Sequence, residues 1–228
     1  MCINAPVSLA AYVVGCRGAA QLWTRKFRAE AAFYAVTVQM QLVDFVIHVA
    51  SPGDGGACPA ANAAASVVGM VVNHCEPLGM LLGGALCGRR RGGRGVLVGT
   101  AVYVPAAILY SAGCLGDGRA DCTQVTRASA PFLDWRWNSC DGKHAFYAIF
   151  LMYTLLLTGA YCQYPVLHGA IVAGSYAVSY WLYKPFHAVG TMWCLAACMG
   201  PYLYIFLASL GNGHGPRVPA AARRRLFV

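Results

Sequence analysis

Thr37, Gln41, Asp44 and His48 recur at intervals of four, three and four within the apolar stretch around VQMQLVDFVIH. On a helix that spacing lines one face. Asn62, Ser66, Gly69, Asn73 and Glu76 repeat the pattern at intervals of four, three, four and three. Carboxyl, amide and imidazole groups gathered in this way can take up a proton, hold a small polar solute or ligate a metal. Asp44 and Glu76 are the two acids well inside apolar blocks, and they weigh most. An ionised carboxylate at a bilayer centre costs about 2.5–3.5 kcal/mol even on the lenient insertion scale. Such acids must face each other, water or a partner. If they face each other at close range, one holds a proton, because like charges cannot both ionise there. His48 or His74 is the alternative source of relief, by carrying positive charge. For the neutral Gln, Asn, Ser and Thr there is a second reading, as hydrogen-bonding glue between helices.

The elements that must position these groups are membrane helices. The chain of 228 residues is 58% hydrophobic and 11% charged, whereas a globular domain carries roughly 25% charged residues. Mean hydropathy is +0.53, and the apolar residues form blocks of membrane-spanning length. Seven blocks predict an all-α polytopic bundle: 4–22, 30–50, 60–87, 95–113, 144–162, 165–183 and 188–210, within one membrane domain over 1–210 and a basic tail over 211–228. The first block reads as a span rather than a cleaved leader, since no positive n-region precedes it. Arg17 near its end must snorkel. Pro77 and Gly200–Pro201 predict bends. The QYP and YKPFH connections make the last three blocks antiparallel neighbours.

Basic residues set the orientation. Arg25, Lys26 and Arg28 fill the first connection, Arg89, Arg90, Arg91 and Arg94 the third, and Arg217, Arg223, Arg224 and Arg225 the tail. These alternate with connections poorer in basic residues or balanced by aspartates, so the positive-inside rule puts the N-terminus outside and the C-terminus inside. The net charge of +9 follows membrane topology rather than a phosphate-tracking surface, and nucleic acid is excluded as a partner. The expected partner is the lipid bilayer, with a small solute or proton at the buried site.

The outer loops hold Cys58, Cys114, Cys122 and Cys140. Two disulfides among them suit an oxidising compartment; free thiols packed near the interface are the other reading. Cys194 and Cys198 are one turn apart without a second pair or a His at metal spacing, so no metal is assigned to them. The Gly-rich GGRG at 92–95 follows no strand and is not a nucleotide cradle. No cofactor motif and no internal repeat is present. His144, His168 and His187 sit near block ends as interfacial groups. Trp135, Trp137, Trp181 and Trp193 fit aromatic belts and interhelical packing, and DWRWNSCDGKH is a candidate cap over the bundle.

Function classes divide by what they require. A retinal Schiff base needs a lysine deep in the last helix; the lysines are Lys26, Lys143 and Lys184, so that class is excluded. Receptor coupling needs larger inner loops than these. An intramembrane hydrolase needs a nucleophile with a base, or a metal held by groups such as Asp44, His48, His74 and Glu76, but His74 lies off the polar stripe. A proton-linked carrier needs buried carboxylates, broken helices and small residues, which Asp44, Glu76, Pro77, Pro201 and abundant Gly and Ala supply. Internal halves typical of carriers are missing.

Met1-Cys2 followed by Ile3-Asn4, Met40-Gln41-Leu42-Val43-Asp44, Glu76-Pro77 and Trp193-Cys194 resemble a family of uncharacterised seven-helix membrane proteins of bacteria, algae and large DNA viruses. That family tends to open with Met-Cys-Trp-Ser, and carries Met-Glu-x-x-Gln in its second helix, Gln-Pro in its third and Trp-Cys in its last. Here acid and amide are exchanged at 41 and 44, and Glu76 replaces the glutamine before proline. The resemblance implies seven spans and marks positions 41, 44 and 76. The sequence thus points to a buried polar site of Gln41, Asp44, His48, Asn73 and Glu76 for a small solute or proton, with transport as its use. An intramembrane enzyme built on the same groups and a purely structural protein are the alternatives.

Overall fold

The computed structural model describes residues 4–51, 57–86, 93–118, 122–125 and 133–183, and then 189–213. Outside these lie Arg89, Arg90, Arg91, Lys184, His187, the tail arginines Arg217, Arg223, Arg224 and Arg225, and the Met1-Cys2 opening. The described chain is all-helical apart from one two-stranded ribbon. Its helices are α1 Ala5–Thr24, α2 Arg28–Thr37, α3 Gln39–Val49, α4 Ala60–Leu86, α5 Gly93–Gly116, α6 Lys143–Tyr161, α7 Pro165–Tyr183 and α8 Val189–Gly213. Each of the seven apolar blocks is helical. Five segments are long and apolar enough to cross a membrane: Arg28–Val49, Ala60–Leu86, Gly93–Gly116, Lys143–Tyr161 and Met192–Gly211. α1 carries Arg17 and Gln21, and α7 carries His168 and three tyrosines, which lower their hydropathy.

Local chemistry starts and stops these helices. The Asn4 side chain accepts from Val7 N at 3.1 Å and caps α1. α7 opens on Pro165, where a missing N–H costs nothing. Pro77, Pro105 and Pro201 lie inside helices that run through them without interruption. A break between helices comes at Val38, between α2 and α3. There the Thr37 hydroxyl donates to the Phe33 carbonyl at 3.0 Å and the Gln39 amide to the Ala35 carbonyl at 2.9 Å. Side chains that bond carbonyls of the preceding turn compete with the backbone ladder and bend it.

The helices close into a ring. α1 packs on α8 and on α2/α3, α4 on α2/α3 and α6, and α7 joins α6 to α8; α2 reaches α8 across the middle, while α5 lies outside on α6. Large apolar side chains cover the outside, with Leu109 72% and Val166 85% exposed. Such a surface belongs against hydrocarbon rather than water.

The segment between α5 and α6 folds over one end as a cap. Its strands β1 Gln124–Val125 and β2 Leu133–Asp134 pair antiparallel, and a 3₁₀ turn spans Arg136–Ser139. Disulfides Cys58–Cys122 and Cys114–Cys140 tie the cap to the chain before α4 and to the end of α5. Cys58, Cys114, Cys122 and Cys140 are therefore all paired. Trp135 and Trp137, within the cap, are buried. Trp193 is also buried and donates to Ser175 Oγ at 3.1 Å; Trp181 alone of the four is freely exposed.

Candidate functional site

The two polar stripes meet because α2/α3 and α4 approach at glycines. A Cβ at Gly79 would lie 2.8 Å from Val36 Cγ2, one at Gly83 2.6 Å from Ala32 Cβ, and one at Gly69 3.0 Å from Val43 Cγ1. Small residues permit this spacing and fix the antiparallel register. Between those contacts, Thr37 falls at the level of Glu76, Gln41 at that of Asn73, Asp44 at that of Gly69, and His48 at that of Ser66. The matching spacings make the stripes face each other rung by rung. The Thr37 hydroxyl is indeed the polar neighbour of the Glu76 carboxyl, although it is spent on Phe33 O.

Asp44 and Glu76 therefore do not share a rung. Their backbones differ in height by about two turns, roughly 10 Å at 1.5 Å per residue. Side chains lean toward the N-terminus of their own helix. Because the helices are antiparallel, both acids lean toward the Gln41–Asn73 level and bracket it. Gln41, Asp44 and Glu76 are fully buried, and Asn73 is 4% exposed.

Partners are few at this level. Gln41 Nε2 donates to Asp44 Oδ2 at 3.4 Å. Gln41 Oε1, Asp44 Oδ1, Asn73 Nδ2 and both Glu76 oxygens are buried with no hydrogen-bond partner. Pro77, having no N–H, also cannot donate to the Asn73 carbonyl. Four of these five atoms are oxygens and one is an amide nitrogen. α8 supplies a further wall: the buried Cys194 and Cys198 thiols lie within electrostatic reach of both carboxyls. No lysine or arginine is buried among the described residues.

The N-terminal half of the α4 stripe, beside the cap, has a different role. Asn62 Oδ1 accepts from Thr123 N at 3.0 Å, and Asn62 Nδ2 donates to Thr123 O at 3.1 Å. Ser66 Oγ accepts from the same N–H at 2.9 Å and lies 2.7 Å from Thr123 Oγ1. These two residues hold the cap and are not open to a ligand. Above Gly69 sits Trp135, whose Cζ3 would be 2.5 Å from a Cβ there. The cap thus closes the bundle at the Asp44 level.

The histidines stand apart. His48 is half-buried in the last turn of α3, with Nε2 unpartnered. His74 Nδ1 is 2.8 Å from Ser111 Oγ, and its ring lies against Phe146, Tyr110 and Trp137 at 4.5, 5.6 and 5.8 Å between centroids. That aromatic box takes it away from the acids. Among the described residues no three His, Cys, Asp or Glu side chains group as a metal-ligand set.

A third buried acid escaped the sequence reading. Glu30 Oε1 accepts from Tyr204 OH at 2.6 Å and from Gln163 N at 2.9 Å. It pins α2 to α8 and to the α6–α7 turn. His168, read as interfacial, is fully buried instead; its Nδ1 lies 3.1 Å from Thr158 Oγ1 and its ring packs on Phe33 and Tyr34. Glu30 opens the second apolar block, where an acid passes for a boundary marker, and its partners are far along the chain. Comparison with protein families, with curated proteins and with solved structures finds no match.

Proposed function

We propose that this chain is a seven-span membrane protein, N-terminus outside, whose Asp44–Gln41–Asn73–Glu76 level takes up a proton or a small polar solute during transport. The observation that carries the reading is the set of five buried, unpartnered polar atoms on these four residues. Each such atom left dry costs about 1–3 kcal/mol, a sum that rivals the whole stability of a domain. Polar groups kept at that cost have a partner during function. An ionised carboxyl here only accepts, and a neutral one also donates, so the level suits a proton or a small polar solute. Ionising either acid without a cation beside it is costly, so charge and solute move together.

Placement of the cap and its two disulfides on the outside agrees with an oxidising compartment. The membership suggested by the Met40–Asp44, Glu76-Pro77 and Trp193-Cys194 motifs is proposed with it. The test uses protein reconstituted in liposomes with a trapped pH-sensitive dye and an imposed potassium diffusion potential. Proton entry above empty vesicles, lost in both D44N and E76Q, supports the reading. Folded variants with unchanged entry would assign the residues to packing.

The packing reading does hold for part of the stripe. Asn62 and Ser66 are consumed by Thr123.

A further inference from the structure

α1 and α4 both pack on α2 yet scarcely touch each other. The gap between them is an open groove of about 470 Å³, within the size range of ligand clefts, about 300–1,000 Å³. Ala20 and Trp23 of α1, Ala35 and Val36 of α2, and Gly79 and Gly83 of α4 lie along it. None of the proposed solute-site residues does. Along its length the polar side chains are the Cys16 thiol and the Gln39 amide, with the Trp23 indole at its end, and that amide already donates to Ala35 O at 2.9 Å. Whatever part of a ligand lies within the groove is therefore hydrocarbon.

The mouth is different. Arg25, Lys26 and Arg28 are exposed on the turn between α1 and α2, where Trp23 marks the end of the groove. The Arg28 guanidinium stands 5.4 Å from the centre of the Trp23 ring. α2 begins at Arg28 with no side-chain cap, so its first amides and positive dipole end add to the field there. Hydrocarbon along the groove and three cations at its end describe an amphiphile with an anionic head.

We propose that this groove holds one acyl chain of an anionic phospholipid, whose phosphate is held by Arg25, Lys26 and Arg28. The assignment rests on the membrane placement proposed above and not on the Asp44–Glu76 site. Anionic lipid is abundant in the inner leaflet, where that orientation puts this turn. A second copy of the chain is the competing occupant. Copies inserted the same way would bring two Arg25–Arg28 turns together, and like charges disfavour that pairing.

Native mass spectrometry of the detergent-purified protein, after adding phosphatidylglycerol and phosphatidylcholine with matched acyl chains, tests the proposal. The expected result is one phosphatidylglycerol retained several-fold over phosphatidylcholine. That preference disappears in the triple variant Arg25→Gln, Lys26→Gln, Arg28→Gln. Filling the groove with Ala35→Phe, or with Ala20→Phe from the facing helix should the first fail to fold, removes both lipids. Leu109→Phe on the outer face of α5 changes nothing. Equal retention of the two lipids, or retention indifferent to groove filling, overturns the proposal while the chain still requires detergent as a membrane protein does. A dimer that Ala35→Phe converts to monomer overturns it in favour of the second copy.

Discussion

Replacing Asn62 by alanine separates the structural half of the polar stripe from the rest. Asn62 makes two buried bonds to the Thr123 backbone, at 3.0 and 3.1 Å. After truncation Thr123 N keeps Ser66 Oγ at 2.9 Å, so the loss on that side is small, about 0.5–1.5 kcal/mol. Thr123 O loses its Asn62 donor, and a buried acceptor without a partner costs about 1–3 kcal/mol. The expected destabilisation is about 2–4 kcal/mol, a fall in melting temperature on the order of 5–10 °C for a chain this size. Thermal unfolding in detergent, followed by far-ultraviolet circular dichroism, measures it. Asn73→Ala is the control, since the Asn73 amide nitrogen has no partner to lose; it stays within about 1 kcal/mol of wild type. Because the Cys58–Cys122 bridge adjoins Thr123, the Asn62→Ala effect grows in the Cys58→Ser/Cys122→Ser background. If Asn62→Ala and Asn73→Ala shift the melting temperature equally in both backgrounds, the division of the stripe is wrong.

Two further perturbations test the cap. Gly69→Ala places a methyl 2.5 Å from Trp135 Cζ3, and overpacking of this kind costs about 1–3 kcal/mol; a shift in tryptophan fluorescence should accompany the lower melting temperature. Removing the Cys114–Cys140 bridge costs about 2–4 kcal/mol, read by melting with and without reductant, and the smaller reductant effect left in that variant is the one due to Cys58–Cys122.

Much of the architecture was legible because membrane helices announce themselves by composition. All seven apolar blocks are helices, with ends displaced by a few residues. The polar stripes were legible too, since the intervals four, three and four on both helices are what an antiparallel pair needs to match rungs. What the stripes do was not. The partner of Asn62 and Ser66 is the backbone of Thr123, 61 and 57 residues away, and nothing in the spacing announces it. The disulfide pairing was one of three connectivities open to four cysteines. Trp135 and Trp137 fit either a belt or interhelical packing, and their burial in the cap segment favours the second. The prolines lie inside continuous helices, which a kink permits, while an interruption that no proline signals falls at Val38, where Thr37 and Gln39 turn their side chains onto the preceding carbonyls.

The central claim is that Asp44 and Glu76 form one exchangeable polar site within the bundle. Infrared difference spectroscopy of the reconstituted protein on transfer from H₂O to D₂O addresses it directly, because the C=O stretch of a carboxylic acid shifts when its proton is exchanged. The account predicts an exchangeable carboxyl band that loses intensity in D44N and again in E76Q, with each variant altering the frequency of the acid that remains. A carboxyl spectrum that neither variant changes, or bands that never exchange in the folded protein, would contradict it.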